Sequence, residues 1–305
     1  MRVTVLGTSS AIPTFKRALS GTLLERDGES FLFDCGEGTQ YQLMRAGSRR
    51  GRLNTILITH LHGDHYYGLP GLLSSLSLNQ RETPITIFGP AGLRRYVDFV
   101  MNFPRRQHQS FEVTVNEIQP GFVGVLRDTP EYRIITEPLD HRLPTHGYRV
   151  EEKPRLGAFD ASKADDLGVP FGPERGQLLR GETITLKDGR MISPADLVGP
   201  PKPGQSFAYC TDTTLCLGAK RLADGVDLLL HESTYGDEFH HLAQERKHAT
   251  IREACAVARA ARVKRFVATH FSTRYDRDKI KELEIEGQDI FPEVIMAHDL
   301  MCIEI

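Results

Sequence analysis

A chain of 305 residues with 40% hydrophobic and 26% charged side chains and no tryptophan has an ordinary globular composition, long enough for one large domain or two smaller ones. No apolar run reaches the roughly 18–20 residues of a membrane span, and Met1-Arg-Val-Thr-Val-Leu-Gly7 enters a strand pattern without a signal-peptide arrangement. A net charge of −2 gives composition alone no argument for a nucleic-acid ligand.

In chain order, strands are predicted at 2–7, 21–25 and 30–34, and a helix at 37–46 follows the turn Asp34-Cys-Gly-Glu-Gly38. The apolar, β-branched run 54–59 is a further strand, and from its end the chain reads Thr59-His-Leu-His-Gly-Asp-His65. A helix at 67–79, a strand at 84–88, a helix at 91–103 and strands at 111–118 and 132–139 complete the first half. After residue 203 come strands at 205–211, 226–230 and 263–269, with helices near 215–223, 237–247 and 250–261. The last of these opens on Thr250 with Glu253 three residues on, a capping-box signature.

Residues 151–203 break the pattern. They hold many turn formers, as in Leu167-Gly-Val-Pro-Phe-Gly-Pro-Glu-Arg-Gly176 and Gly199-Pro-Pro-Lys-Pro-Gly204, and little periodic apolar content. The stretch is expected to add little to a packed core and to protrude as an arm, since long loops in compact domains are often binding elements. Five cysteines (35, 210, 216, 255 and 302) without CxxC spacing argue against a disulfide framework and suit a reduced cytosolic setting. Arg45, Arg49, Arg50 and Arg52 cluster, and Arg94-Arg95, Arg105-Arg106 and Lys264-Arg265 are local basic pairs. Such clusters suit phosphate contacts, although a solvated helix end explains any one of them equally well.

The chemistry concentrates at strand ends. His60, His62, Asp64 and His65 leave one buried strand together, and a tight glycine turn can aim them into one small volume. Imidazole and carboxylate are ligands for zinc or a similar divalent ion. Four such groups in six residues exceed what one open catalytic site takes from one segment, so two adjacent metals are expected. His141, Asp212 and His270 each follow a later predicted strand and supply further candidates.

His-x-His-x-Asp-His is the signature of the metallo-β-lactamase superfamily, which this chain resembles. The resemblance implies an α/β fold, an αβ/βα sandwich of two mixed sheets with outer helices, formed by 1–305 as a single domain with 151–203 inserted as a flexible arm. It also implies that His60, His62 and His141 hold one metal, that Asp64, His65 and His270 hold the other, and that Asp212 bridges them. Two Zn2+ per subunit are expected, with Mn2+ or another divalent ion as an alternative.

Further motifs narrow the resemblance to the ribonuclease Z family, whose members trim the 3′ end of precursor tRNA. They are Phe33-Asp-Cys-Gly-Glu-Gly-Thr-Gln40, Gly68-Leu-Pro-Gly71, His231-Glu-Ser-Thr234 and His248-Ala-Thr250, with Gly168-Val-Pro-Phe-Gly-Pro173 similar to the family's tRNA-gripping arm. The family implies a homodimer acting on precursor tRNA; the cysteine usage adds the expectation of a cytoplasmic setting, and the lack of a long apolar run the expectation of no membrane partner. One departure stands out. The family's Pro-x-Lys-x-Arg-Asn loop corresponds to Pro13-Thr-Phe-Lys-Arg-Ala18, where Phe15 and Ala18 replace the usual Lys and Asn. Discrimination against mature CCA ends is left open by that change, and the cleavage chemistry is not touched by it. In the mechanism so implied, Asp64 binds metal and accepts the water proton, His248 is the general acid, and Glu232 orients His248. Arg17, Arg175, Arg180 and Arg274 are expected to contact the substrate. The competing expectation is a metallohydrolase of the same fold acting on a small phosphodiester or another small ester.

Overall fold

The computed structural model describes residues 1–102 and 110–305; the pair Arg105-Arg106 and the last residue of the helix predicted at 91–103 lie outside the described residues. The chain divides into two compact units. One comprises Met1–Asp128, Ile134–Val150 and Ser206–Ile305, the other Thr129–Arg133 and Glu151–Gln205.

In the larger unit two seven-stranded mixed sheets run through the described residues. The first has the order Met301–Glu304, Arg2–Gly7, Gly21–Arg26, Glu29–Phe33, Leu53–Leu57, Ile85–Pro90, Val113–Ile118. Its first four strands pair antiparallel and its last four parallel. The second has the order Ile295–Met296, Arg265–Thr269, Leu228–Glu232, Ser206–Cys210, Thr145–Glu152, Tyr132–Leu139, Gly124–Asp128, with parallel pairing among the first four.

The sheets face each other through aromatic side chains. The Phe33 ring lies 5.2 Å from Phe207, 5.4 Å from Tyr209 and 6.3 Å from Tyr148. The Tyr148 hydroxyl, fully buried, donates to the Ile58 carbonyl at 2.6 Å, which gives the phenol the partner that burial demands. The first sheet turns Leu6, Leu23, Leu32 and Ile56 towards helices Leu69–Leu78 and Leu93–Asn102. Leu69, Leu72, Leu73 and Leu76 supply the helical apolar stripe at i, i+3, i+4 and i+7. On the second sheet, helix Ile251–Ala260 packs over Leu228–Glu232 and Arg265–Thr269. Its capping box forms: Glu253 N–H donates to Thr250 Oγ1 at 3.3 Å, and Thr250 N–H donates to Glu253 Oε2 at 2.8 Å. Helices thus flank two central sheets, the metallo-β-lactamase αβ/βα arrangement.

Several elements carry no strong sequence signal. Helix Arg277–Gln288 buries only Leu283 and Gly287, so its charged sequence shows almost no apolar stripe. Strands Gly124–Asp128 and Met301–Glu304 are short edges. Strand Thr145–Glu152 includes Gly147, which reads as a turn former, yet a Cβ there would meet Leu222 Cδ1 at 2.5 Å.

The smaller unit contains helices Ala161–Asp166, Pro173–Leu179 and Pro194–Leu197 and the antiparallel pair Ile184–Thr185 and Met191–Ile192. Ala164, Val169, Leu178, Ile184, Ile192 and Leu197 form a small buried cluster of its own. These residues are irregularly spaced, which is why no period betrays them. Among the described residues no helix is long and apolar enough to cross a membrane.

His146 has a consequence for stability. It is 1% exposed and neither ring nitrogen has a hydrogen-bond partner among the described residues, so burial lowers its pKa to about 4. An unfolded histidine titrates near 6.5. Unfolded chains therefore bind more protons between these values, and stability is lost as pH falls from about 6.5 through about 4, by roughly 3 kcal/mol in total. Urea midpoints measured against pH should fall less steeply in this window for His146→Phe. Parallel curves for the two proteins would refute the assignment.

Candidate metal centre

The C-terminal ends of parallel strands from both sheets meet at one rim, and three of the residues there that turn the chain have left-handed backbones: Asp34 (φ 56°), Asp212 (φ 52°) and His270 (φ 62°). Non-glycine residues adopt this region at a cost, so each strand stops abruptly and its polar side chain is aimed off the strand axis.

The side chains converge as two groups. His60 Nε2 and His141 Nε2 lie 2.9 and 3.3 Å from His62 Nδ1, and each lies 3.9 Å from Asp212 Oδ1. On the other side of the same carboxylate, His65 Nε2 and His270 Nε2 lie 3.2 and 3.3 Å from Asp212 Oδ2, and 3.3 and 3.9 Å from Asp64 Oδ2. Within each group the candidate ligand atoms all fall within 4.8 Å of one another. All seven sequence-derived ligand candidates are therefore together, and Asp212 presents one oxygen to each group.

The orientation of the imidazoles is set from behind. His65 Nδ1–H donates to Asp34 Oδ2 at 2.8 Å and His141 Nδ1–H to the Lys247 carbonyl at 2.8 Å. Two further rings use a hydroxyl as intermediary. The Thr59 hydroxyl donates to Asp34 and accepts from His60 Nδ1–H at 3.0 Å, and the Thr234 hydroxyl donates to Glu232 and accepts from His270 Nδ1–H at 3.0 Å. Each ring is left with its Nε2 lone pair directed inward, the arrangement that outer partners give metal-ligating histidines.

The donor set fits divalent ions. Among the described residues His65 Nε2 and His270 Nε2 are buried with only the Asp212 and Asp64 oxygens close by and no well-formed hydrogen bond, an arrangement a shared cation would satisfy. Burial, with help from His65, lowers His60 well below the ordinary imidazole value, and burial lowers His62 and His141 too, so these three are neutral donors. Burial pushes the Asp212 carboxyl up, but His270, His65 and His60 outweigh it and keep the group ionised; Asp64 is likewise held down by His65 and His270 against burial. His65 is raised, because Asp212, Asp64 and Asp34 together overcome burial. The surrounding carboxylates therefore demand positive charge, which a divalent ion satisfies while displacing the proton.

Asp34 was not singled out as a functional candidate from sequence, although it stands inside Phe33-Asp-Cys-Gly-Glu-Gly38. It is fully buried and accepts from Thr59 N–H (2.8 Å), the Thr59 hydroxyl (3.0 Å), His65 Nδ1–H (2.8 Å) and the Tyr209 hydroxyl (3.0 Å). Asp34→Asn keeps the shape and tolerates the left-handed backbone. It should weaken metal affinity about 10- to 100-fold, read as faster metal loss to a competing chelator, with helical and sheet content unchanged. Unaltered retention would show that Asp34 serves folding alone.

Beside the centre, His248 Nδ1–H donates to Glu232 Oε1 at 2.9 Å and lies 3.7 Å from Asp212 Oδ1. Glu232 is fully buried and also accepts from Thr213 N–H (2.6 Å) and Ala249 N–H (3.1 Å). Burial lowers His248, but the Glu232 carboxylate outweighs it and raises the imidazole to about 9.

The arginines predicted to meet substrate are dispersed. Arg17 Nη2 donates to the Ser272 carbonyl at 2.9 Å, while its buried Nη1 has no partner; it lines a cavity of about 660 Å3 with Thr14, Phe15, Lys16, Arg277 and Lys281. Phe15, at the departure from the family motif, is fully exposed. Arg274 is exposed with its guanidinium 5.3 Å from the Phe239 ring centre. In the smaller unit Arg180 is exposed beside Glu182. Arg175 instead bonds to Asp165 and to the Val169 carbonyl and packs over the exposed Phe171 ring at 5.5 Å, so its donors hold its own unit together. Of the basic pairs, Arg94 donates to the Val115 carbonyl and Lys264 to Asp227, both internal contacts.

Comparison with known proteins agrees with this geometry. A family model described as a β-lactamase superfamily domain matches residues 180–271, and one described as Anti-Pycsar protein Apyc1 matches residues 1–97. Proteins named ribonuclease Z from Nostoc sp. and Gloeothece citriformis are 43% and 44% identical, each aligned with all of this chain and with 95% and 96% of their own lengths. The crystal structure of the short form of human tRNase Z matches with a TM-score of 0.73 and 30% identity, over 100% of this chain and 99% of that one. With full-length similarity of this strength, joined to a common fold, the chain belongs to the ribonuclease Z family.

Proposed function

We propose that this protein is a metal-dependent endoribonuclease that hydrolyses the phosphodiester 3′ of the discriminator base in precursor tRNA, leaving a tRNA 3′-hydroxyl and a 5′-phosphorylated trailer. The observation that carries the reading is Asp212, whose two oxygens face two separate His/Asp groups with the His248–Glu232 pair alongside. A pair of divalent ions, proposed to be Zn2+ with Mn2+ as the alternative, supplies charge for the phosphate oxygens and lowers the pKa of water when bound.

The residues divide the remaining work. His60, His62 and His141 would hold one ion and Asp64, His65 and His270 the other, with Asp212 offering an oxygen to each group. Asp64, ionised and fixed by the Ala11 N–H at 2.9 Å, takes the proton of the attacking water. As the water oxygen bonds to phosphorus and the P–O3′ bond breaks, His248 gives its Nε2 proton to the leaving 3′-oxygen. Glu232 keeps that imidazole protonated and aimed. Arg17, Arg180 and Arg274 offer backbone contacts, and Arg175 acts indirectly by supporting Phe171. Residues 151–203 act as the tRNA-gripping arm. The protein works as a cytoplasmic homodimer, as its family membership supports.

Cleavage of end-labelled precursor tRNA tests the reading, with a small chromogenic phosphodiester in parallel. One cut after the discriminator base is expected. Turnover of the diester with the RNA left intact would overturn the tRNA assignment and favour a small-ester hydrolase.

A further inference from the structure

Gly63 stands in the chain between His62 and Asp64 and lies under the ring of Tyr67. A Cβ built on Gly63 would fall 2.2 Å from Tyr67 Cε2 and 2.6 Å from Cδ2, so this ring position requires glycine. Two more tyrosines fix the ring from the side. Tyr66 lies 4.8 Å from it edge-on, Tyr96 on helix Leu93–Asn102 lies 6.5 Å away, and Tyr66 and Tyr96 are themselves 4.6 Å apart. Tyr66 and Tyr96 join the apolar cluster under the first sheet, whereas Tyr67 is 56% exposed. Tyr67 is thus a largely exposed ring packed over Gly63, the residue between the candidate ligands His62 and Asp64 in the chain, with Tyr66 and Tyr96 as its aromatic neighbours. A solvent-exposed ring forgoes hydrophobic stabilisation that a covering ligand would recover. Single-stranded nucleic acid offers such a cover, because unstacked bases bind flat on aromatic side chains.

We propose that Tyr67 is a stacking platform for the base of a nucleotide flanking the scissile phosphate, holding the single-stranded 3′ segment in register with the metal centre. This rests on the endoribonuclease reading above and adds a specificity-determining residue to it. Stacking needs the ring face and not the hydroxyl, so Tyr67→Phe should keep the function and Tyr67→Leu, apolar but without a ring face, should lose it.

The test pairs protein variants with three precursor tRNAs: intact, abasic at the discriminator position, and abasic at the first trailer position. Tyr67→Ala should lower kcat/KM on the intact precursor by about 5- to 150-fold, the range for one base–aromatic stack. On the precursor lacking the stacked base that loss should vanish, because wild type has already forfeited the contact. Equal losses on all three RNAs, or Tyr67→Leu performing as well as Tyr67→Phe, would overturn the platform. Should Tyr67→Ala fail to fold, the Leu and Phe variants decide the question. Failure of the wild type to cut the intact precursor would instead sink the ribonuclease reading, and the platform with it.

Discussion

Asp212→Asn is expected to reduce precursor cleavage by on the order of 10³-fold or more and to lower the metal content of the purified protein. The two oxygens of Asp212 each face a separate cluster of imidazole nitrogens, at 3.9 and 3.9 Å on one side and 3.2 and 3.3 Å on the other. An amide has one good acceptor oxygen and no charge, so it cannot serve both sides. Loss of the several kcal/mol that metal ions contribute to a phosphoryl transition state corresponds to about three decades in rate. Asparagine is preferable to alanine here, because the left-handed backbone at φ 52° is tolerated by asparagine and strained for alanine. Metal analysis and kinetics on the same preparation would check the prediction. Two ions per chain with cleavage within tenfold of wild type would show that the carboxylate need not bridge.

The second large effect concerns His248. His248→Ala should lower kcat by about 10²- to 10⁴-fold, the usual contribution of a positioned general acid, while the metal content stays at the wild-type level. His248 also lies within 4.8 Å of Asp212 and His270 as a third candidate ligand cluster, but its Nδ1 is committed to Glu232 at 2.9 Å, so the general-acid reading requires that its loss leave metal content unchanged. Its pH dependence has a definite sign. Burial alone would favour the neutral ring, and the Glu232 carboxylate reverses this to about 9, so the acid form is present below that pH and lost above it. In Glu232→Gln the burial effect is left unopposed by that charge. The alkaline fall in kcat should therefore move to lower pH, with the metal-site imidazoles still in place. An alkaline limb that does not move would remove Glu232 from its positioning role.

Sequence spacing alone marked the candidate ligand nucleus and where it lies in the chain. His60, His62, Asp64 and His65 sit within six residues after a buried strand, where local backbone geometry leaves few ways to disperse them. His141, Asp212 and His270 were legible for a related reason: each follows a strand-like run, and two of them, Asp212 and His270, stand where parallel strands stop. The helix Ile251–Ala260 was legible through its cap and period. Other features arise only when distant segments meet. The Asp34 contact with His65 spans 31 residues, the Lys247 carbonyl reaches His141 across 106, and Tyr209 reaches Asp34 across 175. No local pattern encodes which hydroxyl or carbonyl will back a given imidazole. Arg175 likewise resembled a free cation until folding set it against Phe171 and Asp165. Tyr67 carries no signal in the sequence, and only the tertiary structure sets its ring against Gly63, Tyr66 and Tyr96. Residue type and spacing thus named the candidate ligands, whereas their convergence, orientation, protonation and exposure came from the tertiary structure, because each depends on what the remaining chain places within a few ångströms.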